Sequence, residues 1–426
     1  MTASDRETVH STTDVERTVA AVWRIESAKI VATLTRMVGD FAFAEDLAQD
    51  ALVEALRQWP AEGVPRNPAA WLTAVAKRRA IDGWRRQERF DDRISTIAHD
   101  LEREQADAMD ADPWDPDAID DDVLRLVFIS CHPVLSREAS VALTLRVVGG
   151  LSSEEIARAF VVPTATVQQR IVRAKKTLGA AKVPFEVPSR QEYAERLSSV
   201  LGVLYLIFNE GHAASSGADW MRPELSVEAI RLTRVLAALV PKERDVHSLL
   251  ALMELTAARF PARVDASGEP ILLADQDRSR WERGRISRGR AALATADAMG
   301  TGRGAYGLQA AIAECHAIAA SIEETDWERI VLLYEALGRV APSPVVELNR
   351  AAAVAMAVGP ASALDIIDQL AESGALKGYH LLPATRGELL LRLGRREEAR
   401  SEFATAATLA GNDRERALLE AKASAD

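Results

Sequence analysis

Between Gly149 and Leu178 the apolar residues recur with a period that suits an α-helix, and the run is broken once by a tight turn. Val167, Ile171, Ala174 and Leu178 fall at i, i+4, i+7 and i+11, so they form one buried stripe. Ahead of them Gly149-Gly150 ends a helix, and Ser152-x-x-Glu155 reads as a capping box that opens the next. Ile156, Ala157 and Phe160 give that short helix its apolar side, Val161-Val162-Pro163 turns the chain, and Thr164 is placed to cap the longer helix. Gln168, Gln169, Arg170, Arg173, Lys175 and Lys176 are left mostly outside the stripe. A short helix, a turn and a longer helix with a polar, basic face is the arrangement that enters a DNA major groove. Arg pairs bidentately with guanine and Gln with adenine, whereas Lys175 and Lys176, farther along, are placed for phosphates.

The rest of the chain is also helical in pattern. Its 426 residues are 48% hydrophobic but only 5% aromatic, and Ala, Leu, Glu and Arg dominate, so an all-α fold of about three domains is expected. No apolar run reaches the ~20 residues of a membrane span. The two cysteines, Cys131 and Cys315, exclude a disulfide framework and point to the cytoplasm. The net charge of −11 excludes a uniformly basic nucleic-acid binder. The distribution is uneven: Lys77–Arg89 holds six basic residues against two acids, Val167–Lys182 holds five and no acid, and Asp100–Asp122 between them holds eleven acids and one Arg.

Residues 14–89 read as three helices. The first runs through Val19, Val22, Trp23, Ile30 and Leu34. The second spans Phe41 to Trp59 and is expected to stop at Pro60. The third starts at Asn67 as N-cap, with Pro68 at the first helical position, and runs to about Arg89. In the second, Leu47, Ala51, Ala55 and Trp59 face a core, while Asp46, Asp50 and Glu54 recur every four residues on another side. Like charge at that spacing destabilises a helix on its own and calls for a basic partner. In the third, Leu72, Val75, Ala76 and Ala80 are the buried side, and Arg78, Asp82, Arg85, Arg86 and Arg89 share an exposed one, with Trp71 and Trp84 adding aromatic surface.

Beyond Pro184 and Pro188 the chain is helical to its end, broken by Gly- and Pro-containing loops. Gly387-x₂-Leu390-x₃-Gly394-x₄-Ala399-x₃-Phe403-x₂-Ala406 places small and large residues as a tetratricopeptide unit does, and a looser copy runs through Ala351, Val354, Ala363, Ile367 and Leu370. Nothing reads as catalytic. Asn209-Glu210-Gly211-His212 and Asp275-Gln276-Asp277 carry acid–base groups without a linking geometry. Cys131-His132 and Cys315-His316 lack zinc-ligand spacing, and Gly300-Thr-Gly-Arg-Gly304 reads as a loop between helices, so no metal or cofactor is expected.

Two stretches together resemble a known family. Ala44-Glu-Asp-Leu-Ala-Gln-Asp-Ala-Leu, followed by Asn67-Pro-Ala-Ala-Trp-Leu and Ala76-Lys-Arg-Arg-Ala-Ile-Asp82, is similar to region 2 of the extracytoplasmic-function (ECF) sigma factors. Gly150-Leu-Ser-Ser-Glu-Glu-Ile-Ala, followed by Pro163-Thr-Ala-Thr-Val-Gln-Gln-Arg-Ile-Val-Arg-Ala-Lys, is similar to their region 4. The resemblance implies two small helical domains, 14–90 and 118–183, joined by an acidic flexible linker, 91–117. It implies that Glu45, Asp46, Gln49, Asp50 and Glu54 bind core RNA polymerase on the β′ coiled coil, with the β subunit as a further contact. It implies that Lys77, Arg78, Asp82, Trp84, Arg85 and Arg86 engage the promoter −10 element. For the −35 element it implies Thr166, Gln168, Gln169, Arg170, Arg173, Lys175 and Lys176. Tyr205-Leu-Ile-Phe-Asn-Glu-Gly-His212, Arg222-Pro-Glu-Leu, Asp275-Gln-Asp-Arg-Ser-Arg-Trp281, Thr325-Asp-Trp327 and Pro342-Ser-Pro-Val-Val-x-Leu-Asn-Arg350 resemble the tetratricopeptide-like C-terminal extension of one subgroup. For 189–426 that implies a regulatory helical domain that contacts the promoter-reading modules or polymerase and modulates or enables activity. The expected function is promoter-specific initiation of transcription, without catalysis. The alternative is a helix-turn-helix regulator that is not a polymerase subunit, for which the second motif alone suffices.

Overall fold

A computed structural model describes residues 3–87, 116–160, 162–189, 191–212, 221–265, 270–300, 302–411 and 413–424. The linker expected over 91–117 lies outside the described residues up to Asp115, and Pro116 opens a helix. Apart from short 3₁₀ turns and one isolated bridge between Val264 and Pro270, the regular structure among the described residues is α-helical. Two compact units divide the chain, Met1–Val203 and Leu204–Asp426.

The first unit contains α1 (Ala3–Val38), α2 (Phe41–Glu62), α3 (Pro68–Gln87), α4 (Pro116–Ser130), α5 (Arg137–Val147), α6 (Ser153–Phe160), α7 (Thr164–Ala180) and the start of α8 (Tyr193–His212). Its central element is α1, against which α2, α3 and α4 all pack. That is why Val31 and Ala32 are buried alongside Ile30 and Leu34: a helix covered on several sides has no free face for polar residues. Each fully buried Ile or Leu there contributes roughly 1.5–3 kcal/mol relative to an exposed one. From α2, Leu47, Ala51, Ala55 and Trp59 turn inward as the spacing requires, and from α3 Leu72, Ala76 and Ala80. Trp71 packs edge-on against Trp59 at 5.4 Å, so its ring belongs to the packing between α2 and α3.

The predicted helix ends hold at three places and shift at two. Asn67 accepts from the Ala70 N–H at 3.1 Å, capping α3. The Ser152 and Glu155 box closes in both directions: Glu155 N–H donates to Ser152 Oγ at 3.1 Å, and Ser152 N–H to a Glu155 carboxylate oxygen at 2.7 Å. Gly300–Gly304 falls in the loop between two helices, as expected. By contrast, α2 runs through Pro60 to Glu62 and ends where Gly63, at φ +85°, donates to Trp59 O. A proline removes one N–H and crowds the preceding turn, which the last turn of a helix tolerates because little of the ladder follows it. Thr164 is the first residue of α7 instead of its cap; Pro163 occupies the cap position and no side chain caps the helix.

The second unit holds the end of α8, then α9 (Pro223–Leu239), α10 (Arg244–Ala257), α11 (Arg283–Ala298), α12 (Ala305–Ile318), α13 (Trp327–Val340), α14 (Pro344–Ala357), α15 (Pro360–Ser373), α16 (Leu381–Arg392), α17 (Arg396–Leu409) and α18 (Asp413–Ser424). Helix α10 packs on both α11 and α12, and from α13 onward each helix packs chiefly on its neighbours in sequence. Core clusters follow one another along the chain, one on α10–α12, one on α12–α14 and one on α14–α18. In the last, Leu390, Ala399, Phe403 and Ala406 are buried, and a Cβ at Gly387 would stand 2.8 Å from the Phe403 ring. The missing side chain lets α16 and α17 approach. Ala351, Val354, Ala363 and Ile367 are buried in the same cluster.

The turn between α5 and α6 depends on Gly150. Its φ of +70° suits glycine, and a Cβ there would lie 2.6 Å from Ser27 Oγ and 3.1 Å from the backbone of Arg24 in α1. Gly39 has a similar φ, +69°, with nothing near. Gly150→Ala is therefore expected to cost about 2–3 kcal/mol and Gly39→Ala about 1 kcal/mol, the difference being crowding against α1. Urea denaturation of both variants measures it, and equal losses would show that the α1 contact is not close.

Candidate nucleic-acid interface

In the helix-turn-helix, α6 and α7 pack on each other and α7 also packs on α5. The buried residues of α7 are the predicted stripe, Val167, Ile171, Ala174 and Leu178. The turn is fixed by backbone: Val162 N–H donates to Ala157 O at 3.0 Å, and Thr166 N–H to Pro163 O at 2.9 Å. Gln168, Gln169, Arg173 and Lys176 are exposed, and Thr166 and Arg170 are half-buried. The exposed amides and guanidinium supply the hydrogen-bonding groups that base edges accept and donate to, and the free N-terminal N–H groups of α7 favour a phosphate.

Lys175 is placed differently. It reaches α2, where its ammonium pairs with Glu45 and, at 2.9 Å, with Asp46. Arg146 of α5 lies 3.4 Å from the other Glu45 oxygen. Glu45 is 3% exposed, so its charge is held between two cations from the helix-turn-helix module. Burial works against the Lys175 charge, but Glu45 and Asp46 outweigh it and hold the ammonium above its ordinary value. Its partner acids thus keep Lys175 charged well beyond neutral pH. Arg24 of α1 meets Glu155 of α6 at 3.1 Å, and Arg36 of α1 meets the buried Asp122 of α4 at 2.8 Å.

The rest of the acidic face is also compensated from within. Arg79 of α3 bridges Asp50 at 3.1 Å and Glu54 at 2.9 Å. The Glu54 carboxyl is held below its usual range, first by the hydrogen bond from Gln58 and then by Arg57 and Arg79. Asp46 and Asp50 keep most of their side chains in solvent, Gln49 is half-buried, and Glu54 is mostly covered. Neither Arg79 nor Arg146 was among the residues singled out from sequence. The spacing of Asp46, Asp50 and Glu54 signalled that a cation was needed but not which one. On α3, Arg78 and Asp82 are exposed and Lys77 is half-buried, while Trp84, Arg85 and Arg86 have side chains outside the described residues.

The Cys131-His132 pair has a local explanation. Cys131 is buried against Thr144 Oγ1 at 3.3 Å, and burial pushes its thiol up to about 11. His132 Nδ1 accepts from Val134 N–H at 3.1 Å. Among the described residues no group of His, Cys, Asp and Glu is arranged to hold a metal ion, and no helix is long and apolar enough to cross a membrane.

Comparison with known proteins agrees with this geometry. Residues 25–90 match sigma-70 region 2, and residues 125–178 match sigma-70 region 4. The RNA polymerase sigma-H factor of Pseudomonas aeruginosa is 31% identical over 37% of this chain and 81% of its own length. The chain belongs to the sigma-70 family. It is an ECF-type sigma factor with regions 2 and 4, which directs the initiation of transcription by binding core RNA polymerase and promoter DNA and is not an enzyme. The probable ECF sigma factor SigI of Mycobacterium tuberculosis is 29% identical over 41% of the chain and 58% of its own length. An uncharacterised protein of Rhizobium meliloti is 45% identical over 91% of the chain and 90% of its own length, so the likeness there includes the second unit. Residues 196–297 match a family of unknown function, DUF6596. No solved structure matches.

The unequal exposure of Glu45 and Asp46 makes a test of the inter-helix bridge. Glu45→Ala leaves Lys175 and Arg146 without their enclosed counter-charge and is expected to cost about 2–3 kcal/mol. Asp46→Ala removes an exposed partner and is expected to cost under about 1 kcal/mol. Chemical denaturation distinguishes them. Equal, small losses would mean that the bridge does not hold region 4 on region 2.

Proposed function

We propose that the sigma factor docks on the β′ coiled coil of core polymerase through Glu45, Asp46, Gln49, Asp50 and Glu54, with the β subunit as a second contact. Lys77, Arg78, Asp82, Trp84, Arg85 and Arg86 engage the −10 element. Thr166, Gln168, Gln169, Arg170 and Arg173 read the −35 element, and Lys175 and Lys176 hold its backbone. The observation that carries this reading is an acidic helix face, partly open at Asp46 and Asp50, in the same unit as a capped helix-turn-helix with an exposed basic face. A regulator that only bound DNA would need the second feature alone.

The internal ion pairs give this reading a mechanism. Arg79 and Lys175 occupy the acidic face with cations of the chain itself. A basic surface on polymerase competes for the same carboxylates. A polymerase cation at the exposed Asp46 takes one of the two carboxylates that hold Lys175 and favours the reach of its ammonium to a DNA phosphate, so core binding and DNA binding reinforce each other. Ion pairs trade at little net cost in such an exchange, because each carboxylate keeps a partner. The second unit acts in the cytoplasm with the rest of the chain as a tetratricopeptide-like extension that modulates or enables activity. Its support is the run of sequence-neighbour helix packing and the close approach of Gly387 to Phe403.

Reconstitution with purified bacterial core polymerase tests the whole reading, and absence of promoter-directed transcripts would sink it. Asp50→Arg reverses an exposed charge beside Arg79. It is expected to weaken core binding at least about tenfold while the helical circular dichroism is retained, read by fluorescence anisotropy of labelled protein. On promoter DNA with polymerase, Arg170→Ala is expected to lose about 1–3 kcal/mol with altered base preference in the −35 element. Lys176→Ala is expected to weaken all −35 sequences alike and to reduce the salt slope by about 1. Identical profiles for the two variants would remove the base-reading role of Arg170.

A further inference from the structure

The second unit contains a buried cluster of cations that promoter recognition does not use. Arg259 follows α10, and Arg278 and Trp281 lie in the Asp275–Trp281 segment that precedes α11. Trp281 is 3% exposed, and two guanidinium groups lie near its ring, with Arg278 Cζ 5.0 Å and Arg259 Cζ 5.7 Å from its centroid. Arg278 is fully committed: it donates to His316 O at 2.9 Å, Ala319 O at 3.0 Å and Thr325 Oγ1 at 3.1 Å, and Glu323 and Glu324 lie close enough to favour its charge. Arg259 is not. Its Nε is enclosed without a hydrogen-bond partner, and among the described residues no carboxylate pairs with its guanidinium. Trp281 Nε1 and His316 Nδ1 are likewise enclosed and unpartnered.

Burial, together with Arg278, pushes the Arg259 guanidinium down to about 10, and burial with Arg259 and Arg278 pushes His316 down to about 3. His316 is thus neutral at pH 7, and Arg259 carries an enclosed positive charge with no carboxylate partner among the described residues. Taking such a charge out of water costs several kcal/mol. A trapped water molecule would satisfy an N–H but would not offset the charge. Arg259 Nε–H and Trp281 Nε1–H can only donate, and a neutral imidazole donates from Nδ1 in one tautomer. The cluster therefore asks for a ligand that is all acceptor and negatively charged. Part of the Arg259 side chain remains open to solvent, which gives such a ligand an approach.

We propose that Arg259, Trp281 and His316 form a binding site for a small oxyanion, a phosphate or a carboxylate, in the second unit of this sigma factor, with Arg259 and Trp281 inside the region of unknown function and His316 beyond its end. The guanidinium supplies the charge, the indole N–H and imidazole fix the orientation, and Arg278, 5.0 Å from the ring centroid, helps to hold the Trp281 ring. This site is independent of the DNA- and polymerase-binding assignments, so its failure leaves them untouched.

Thermal unfolding of the full-length chain tests it, with inorganic phosphate and citrate as separate probes against sodium chloride at matched ionic strength. At least one probe is expected to raise Tm by several degrees, increasing with the logarithm of its concentration. A response to phosphate alone assigns a phosphate-bearing ligand, and a response to citrate alone a carboxylate. Arg259→Gln is expected to abolish the shift while leaving Tm in chloride unchanged or higher, because it removes an uncompensated buried charge. Trp281→Phe keeps the ring and removes the donor, and is expected to weaken the apparent affinity about tenfold, the loss of one hydrogen bond to a charged ligand. No response to either probe beyond chloride would overturn the site. So would an undiminished shift in Arg259→Gln, or an equal fall of its Tm with and without probe, which would make Arg259 structural only.

Discussion

Glu45 is a carboxylate with almost no access to water, on a helix whose other acids recur at every fourth residue. Everything in the first unit is arranged around keeping that charge compensated. Lys175 reaches it from α7 and Arg146 from α5, while Arg79 from α3 bridges the next two carboxylates along the face. Removing water from an ion pair costs more than the attraction returns unless the geometry is good. The chain meets that condition by giving Glu45 two cations and leaving the more exposed Asp46 to share one of them. The same contacts fix where region 4 sits on region 2, and the narrow place left for a side chain at Gly150 follows from α5 and α6 lying close against α1.

This arrangement bears on how a sigma factor divides its charges. A net charge of −11 would repel DNA if it were evenly spread. Here the negative charge of α2 faces cations of the same chain, and the exposed end of α7 carries Gln168, Gln169, Arg173 and Lys176 with no acid among residues 167–182. Specific readout needs few base-edge contacts, whereas affinity comes from phosphates and is salt-dependent.

Local features were legible in the sequence because they depend on neighbours within a few residues. The four-residue stripe of α7, the reciprocal Ser152–Glu155 box and the Asn67 cap each follow from helix periodicity and backbone donors. The departures from pattern are local too. Pro60 has the chemistry of a stop, but near a helix end it removes a bond that little structure relies on. Thr164 has the chemistry of a cap and stands one residue too late to serve as one. What pattern could not give was the pairing of Glu45 with Lys175, 130 residues away, because no periodicity links side chains from different modules. The acidic spacing stated the demand for a cation; only the packing of α7 on α2 identifies the supplier.

The second unit handles the same electrostatic problem in two ways. Around Glu254, 1% exposed, Arg234, Arg285 and Arg288 gather on one carboxylate, so the buried charge is amply answered. Around Arg259 the signs are reversed and the answer is missing among the described residues. Chains that bury an ion generally supply its partner, as this one does at Glu45, Asp122, Arg222 and Glu254. An exception beside an indole N–H and an imidazole that also lack partners is therefore more than a packing detail. Structural needs alone would be met more cheaply by a leucine or methionine at position 259, since a well-packed apolar side chain of similar volume carries no desolvation cost. Retaining arginine there makes sense if its counter-charge arrives from outside the chain.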